Sequence, residues 1–199
     1  MFNWTAFIEQ VSQSSIIEWL AVISSVLYVI LATKNNIFCW FFALVSSGLY
    51  MYICFDFQLY IESGLQLFYF AMAIIGWVFW SRSNDVGPAI QTWSYGLHTL
   101  NIAISGICTF LLGYFFATYT DQASPYVDAF TTCFSLAATY MVTKRILENW
   151  IYWIIIDLIS IFLYSERELY LTSILYLLFT LLAVIGFMSW QKKLKRQSI

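Results

Sequence analysis

The chain has 199 residues, of which 61% are hydrophobic, 21% aromatic and only 10% charged. An ordinary soluble domain carries about 25% charged residues, so 9 basic and 11 acidic side chains are too few to cover a water-facing surface. This composition, with a net charge of −2, excludes a cytosolic enzyme, a disordered tail and a nucleic-acid binder, and indicates a polytopic membrane protein.

The stretch from Met1 to Ser15 contains no Lys or Arg, so no cleaved secretory signal is expected. A bilayer-spanning helix takes about 20 mostly apolar residues. Stretches with little or no charge predict seven such helices, at 17–33, 37–54, 60–80, 96–117, 126–143, 149–164 and 169–190. The Glu166-Arg167-Glu168 cluster separates the last two. With the C-terminus placed in the cytoplasm, Lys34, Arg82, Lys144, Arg145, Lys192, Lys193, Lys195 and Arg196 all fall on that side, and only Arg167 falls outside. That asymmetry follows the positive-inside rule and puts the N-terminus outside.

Sliding the chain along itself until Glu18 meets Asp128 aligns 18–80 with 128–190 without a gap. The identities along that alignment are more than this composition yields by chance. Thr33-Lys34 meets Thr143-Lys144, Trp40 meets Trp150, Gly76 meets Gly186 and Trp80 meets Trp190. The reading is one membrane domain over 1–199: repeat one at 18–80, a linking helix at 96–117 and repeat two at 128–190. Four helices separate equivalent points, so the repeats run in the same direction. Such parallel three-helix repeats are the SWEET-like 3+1+3 arrangement, with the substrate site near the midplane between them.

Within the spans, Asp157 follows Arg145 by about 18 Å of helix, which places it near mid-membrane. A carboxylate there is costly and marks a functional candidate. It shares a helical face with Trp150, Trp153, Ser160 and Tyr164. Helix three has a comparable face with Glu62, Gln66, Tyr69, Ala73, Gly76, Trp77 and Trp80. For Gln66, ligand contact competes with a role as interhelical glue. The hydroxyls of Thr131, Thr132, Ser135 and Thr139, and of Ser46, Ser47 and Tyr50, leave the same choice open. His98 is expected as an exposed or capping group, and Trp190 as an interfacial anchor. Cys39, Cys54, Cys108 and Cys133 show no CxxC spacing and read as buried packing thiols without a metal. No phosphate-binding loop, zinc-hydrolase motif or nucleophile elbow occurs, and the last span has no Lys for a retinal Schiff base. No enzyme activity and no cofactor are expected. A flat organic cation suits aromatic walls around a carboxylate.

The run Leu147-Glu148-Asn149-Trp150-Ile151-Tyr152-Trp153, continuing to Asp157, resembles the ENWxxWxxxD signature of the PnuC family of vitamin transporters. Leu59-Tyr60, Leu65-Gln66, Tyr69, Gly76-Trp77 and Trp80 resemble that family's third-helix pattern, and Asp128-Ala129, Thr131, Thr132 and Met141 its fifth helix. The resemblance covers about residues 18–190. It implies a SWEET-like inner-membrane protein, a homotrimer, that carries a vitamin precursor down its gradient. The precursor is most often nicotinamide riboside, with thiamine and riboflavin in sister groups, and a separate cytoplasmic kinase traps it by phosphorylation. Carried over residue by residue, the substrate-binding set is Trp150, Trp153, Asn149 and Gln66, with Tyr69 and Asp157 as further candidates. Many nicotinamide riboside members have a Gln in helix five where this chain reads Ala137-Ala138-Thr139-Tyr140-Met141, which keeps thiamine as an alternative. A membrane sensor or partner-binding subunit that does not translocate is the alternative from another class.

Overall fold

The computed structural model describes residues 4–56, 60–82, 89–121 and 123–197. Leu59 and the side chains of Tyr60 and Glu62, which the sequence singled out, lie outside the described residues. Those residues form α1 (Trp4–Gln13), α2 (Ile16–Thr33), α3 (Cys39–Asp56), α4 (Tyr60–Ser81), α5 (Tyr95–Tyr119), α6 (Pro125–Thr143), α7 (Asn149–Glu166) and α8 (Tyr170–Gln197). Each of α2 to α8 matches one expected span, with ends moved by a few positions except at α8, which runs on to Gln197. The short helix α1 was not expected. Its Gln10 bridges the α7–α8 turn, donating to the Glu168 carbonyl and accepting from the Leu171 amide.

Local chemistry explains the helix ends. Ser15 and Glu18 form a reciprocal capping box at the start of α2. Pro125 stands in the first turn of α6, where its missing N–H costs nothing, with Asp128 beside it. Among the described residues, five stretches are long and apolar enough to cross a membrane: α2, α3, Ser63–Ser81 of α4, α5 and α8. Helices α6 and α7 are more polar and bury longer faces inside the bundle, including Ser135, Thr139, Asp157 and Ser160. On the outside, Leu100, Ile107, Phe110 and Phe162 are all more than half exposed, a surface that requires a hydrocarbon environment.

The C-terminal ends of α2, α4, α6 and α8 meet at one end of the bundle. Lys193 donates to the Lys34 carbonyl there, and the Trp80 indole donates to the Thr143 carbonyl at 3.2 Å. Lys34, Lys144, Arg145 and the basic run of α8 therefore gather at this end, beside helix C-termini that favour positive charge. Arg167 lies elsewhere, paired with Asp128 at 2.6 Å.

Contacts recur at the offset that separates Glu18 from Asp128. Ser63 donates to the Met51 carbonyl at 3.2 Å and Ser173 to the Ile161 carbonyl at 3.1 Å. Trp40 meets Trp80 edge-on at 5.3 Å, and Trp150 meets Trp190 edge-on at 5.4 Å. Asn35 and Arg145 both have positive φ, 57° and 54°. Trp190 is not the interfacial anchor expected of it. It is fully buried, and its indole donates to the Ala32 carbonyl at 2.9 Å. The wide apolar run of α8 hides this, because only tertiary packing distinguishes a buried Trp from an interfacial one. The thiols also differ from expectation: Cys39 is buried, but Cys108 is exposed on α5.

Two glycines let the tryptophans approach. A Cβ at Gly186 would sit 2.7 Å from the Trp150 indole, and one at Gly76 would collide with Trp40 in the same way. At Gly106 nothing lies within 4 Å. Gly186→Ala is expected to cost about 1–3 kcal/mol through overpacking, seen as a lower thermal unfolding midpoint in detergent, whereas Gly106→Ala leaves the midpoint unchanged or raised.

Candidate binding cavity

Helices α2, α3, α4, α6, α7 and α8 enclose a cavity of about 220 Å³. Its lining follows the repeat position by position: Trp40 with Trp150, Ala43 with Trp153, Ser47 with Asp157, Gln66 with Tyr176, and Tyr69 with Phe179. The cavity is thus placed symmetrically, but its chemistry is not symmetric. The α7 side carries the second Trp and the carboxylate. The α3 side has Ala and Ser at the same places.

Five of the six expected site residues line this space: Trp150, Trp153, Gln66, Tyr69 and Asp157. Asn149 does not. It is fully buried at the first position of α7, where its amide nitrogen donates back to the Ile146 carbonyl at 2.6 Å. Among the further candidates, Ser46, Ser47, Tyr50 and Thr139 line the cavity. Thr131 and Thr139 donate to carbonyls of their own helix, the bond that lets a hydroxyl sit in an apolar bundle. His98 is half-buried between α5 and α7 instead of exposed, its Nδ1 3.1 Å from the Tyr152 hydroxyl and its Nε2 3.8 Å from Glu148.

Trp150, Trp153 and Asp157 reach the cavity because positions i, i+3 and i+7 share one face of α7. Helix α7 begins at Asn149, so Asp157 stands about 12 Å from the helix start, nearer that end than a count from Arg145 suggests. Asp157 is only 2% exposed. No cation pairs with it, and no hydrogen bond reaches it among the described residues. The Trp40 and Trp150 indole nitrogens, which also border the cavity, have no hydrogen-bond partner among the described residues, whereas several other polar groups do. Ser135 has one proton, which it gives to the Thr132 carbonyl at 2.9 Å, so the Tyr69 hydroxyl 2.7 Å away is the donor to Ser135. That bond ties α4 to α6. Tyr176 is held by a parallel stack on Tyr164, 5.2 Å between centroids.

The sequence reading missed Trp40, Tyr28, Tyr176 and Phe179. The repeat carried the signal for three of them, because it pairs Trp150 with Trp40, Gln66 with Tyr176 and Tyr69 with Phe179. Tyr28 was legible from the helical stripe Ser25, Tyr28, Val29 and Ala32, all of which line the cavity.

At the basic end the cavity is floored by a row of indoles. Trp40 contacts Trp80, Trp80 lies 6.3 Å from Trp190, and Trp190 contacts Trp150. The Arg145 guanidinium covers the Trp80 ring at 3.9 Å, and its Nε donates to the Asn35 side chain at 2.9 Å. Burial pushes its pKa down to about 10, so it keeps its charge at neutral pH. A left-handed backbone at a long side chain such as Arg145 is uncommon and costs on the order of 1–3 kcal/mol.

The fold and this cavity define a multi-pass membrane protein of the transporter class. The match to the nicotinamide mononucleotide transporter family model spans residues 15–192, and the chain belongs to that family, the PnuC family. The nicotinamide riboside transporter PnuC of Escherichia coli K12 is 29% identical over 87% of this chain and 84% of its own length. The Haemophilus influenzae protein of the same name is 30% identical over 89% and 81%. The riboflavin/roseoflavin transporter RibM of Streptomyces davaonensis is 23% identical over 90% and 88%. The crystal structure of a vitamin B3 transporter PnuC has the same fold, with a TM-score of 0.76 at 23% identity over 96% of this chain and 88% of that one. These relatives are transporters, not enzymes.

Tyr69→Phe removes one interhelical hydrogen bond and leaves the ring in place. It is expected to cost about 1 kcal/mol, read as a small fall in the thermal midpoint of the purified protein.

Proposed function

We propose that this protein facilitates entry of nicotinamide riboside, a cationic vitamin precursor, through the cavity between its two halves. The observation that carries this reading is the unpaired Asp157 carboxylate, on one face of α7 with Trp150 and Trp153. A pyridinium ring supplies both complements, a positive charge for the carboxylate and a flat face for the indoles. Ser46, Ser47, Tyr50 and Gln66 supply hydrogen-bonding groups for a ribose. The names of the relatives favour nicotinamide riboside over thiamine. Riboflavin, the substrate in the name of the 23% relative, carries no positive charge and leaves Asp157 without a partner.

The proposed architecture is seven spans in a SWEET-like 3+1+3 arrangement, with repeats at 18–80 and 128–190 and a linking helix at 96–117. The recurring contacts support it. The gathering of basic residues at one end supports an inner-membrane orientation with the C-terminus cytoplasmic and the N-terminus periplasmic. Transport is by uniport, with trapping by a separate cytoplasmic kinase, and assembly is as a homotrimer, as the family resemblance implies.

Uptake of labelled nicotinamide riboside into proteoliposomes tests this reading. Internal label should rise until inside and outside concentrations are equal, and an imposed proton or sodium gradient should not raise that plateau. A stacked or cation–π contact of about 1.5–2 kcal/mol corresponds to roughly a tenfold change. Trp153→Ala should therefore weaken binding at least that much, while the lipid-facing Phe162→Ala leaves affinity unchanged. Unaltered affinity in well-folded Trp153→Ala protein would remove the stacking site.

A further inference from the structure

Asn35 and Arg145 occupy equivalent positions of the two repeats, share a left-handed backbone and bond to each other. When two halves are related by a two-fold axis, a residue meets its own counterpart only on that axis. The bond therefore lies where the halves face each other at the basic end, next to the indole row that floors the cavity. A solute leaving the cavity along that axis would meet these two side chains.

Arg145 is 5% exposed, yet its partners carry no charge. It has the Asn35 amide oxygen and the Trp80 ring. Among the described residues Arg167 pairs with Asp128 and His98 lies 3.8 Å from Glu148, and neither contact involves Arg145. A charged group held by a neutral one is held less firmly than by a carboxylate. Its free positive charge also opposes a cation approaching from the cavity.

We propose that Arg145 and Asn35 form a latch on the pathway axis, which closes the basic end in this conformation and must release before a cationic solute can leave. Asn is suited to one side of it, because Asn adopts positive φ readily and offers a neutral acceptor. The latch rests on the transport reading above, but its test does not depend on the identity of the vitamin.

Cys39 provides the readout. It is fully buried beside Trp40 in the floor. Full-length protein with Cys54, Cys108 and Cys133 replaced by Ala retains this single thiol, and its rate of labelling by a charged methanethiosulfonate reports opening of the floor. Asn35→Gly removes the acceptor and keeps the backbone unstrained. Asn35→Asp replaces it with a carboxylate. Labelling is expected to rise about tenfold in Asn35→Gly and to fall severalfold in Asn35→Asp, with thermal midpoints near that of the parent. Opposite shifts separate a latch from a packing contact, since a mere loss of packing raises labelling in both. Equal rates in all three proteins, or faster labelling in both variants, would overturn the proposal. If no vitamin binds any of them while the opposite shifts persist, the substrate reading fails and the latch stands.

Discussion

Because the outer surface of this bundle must be hydrocarbon-compatible, every polar group at its centre has to find a partner among its own helices. Most do so locally. Ser47, Thr139 and Thr180 return their protons to carbonyls one helical turn back. The Trp80 and Trp190 indoles reach across to carbonyls in the opposite half of the chain. Against that background Asp157 stands out with the unpartnered Trp40 and Trp150 indole nitrogens, a carboxylate buried beside an aromatic wall with neither donor nor cation among the described residues. An isolated buried charge is expensive, and in the proposed reading the positive charge of the ligand offsets it.

Symmetry and its loss divide the work between structure and recognition. The contacts that hold each half together internally recur in both repeats: glycine against indole, indole against indole, and serine against the carbonyl of the preceding helix. The residues proposed to distinguish ligands do not recur. Trp153 and Asp157 stand opposite Ala43 and Ser47. At the floor, Arg145 stands against Asn35. An asymmetric solute with one charged aromatic end needs such a site, and a mechanism in which two halves rock about it needs the symmetric frame.

Much of this was legible in the sequence. Charge distribution located the helices α2 to α8, and the internal repeat identified positions whose contacts recur. The ENWxxWxxxD run brought Trp150, Trp153 and Asp157 to one face. What it did not convey depends on packing. Asn149 adjoins Trp150 in sequence but is turned into the helix start, and Trp190 ends an apolar run yet lies in the core. Amphipathic α1 is too short to register as a span, and its role comes from the Gln10 bridge to the α7–α8 turn.

The central claim is that Asp157 recognises a positive charge on the ring. Calorimetric titration with nicotinamide riboside and with its uncharged dihydro form, nearly the same in shape, isolates that charge. The account predicts that the parent protein binds the cation at least about tenfold more tightly, a factor that corresponds to about 1.4 kcal/mol, and that Asp157→Asn loses this preference while remaining folded. Equal affinity of the parent protein for the two forms would contradict it.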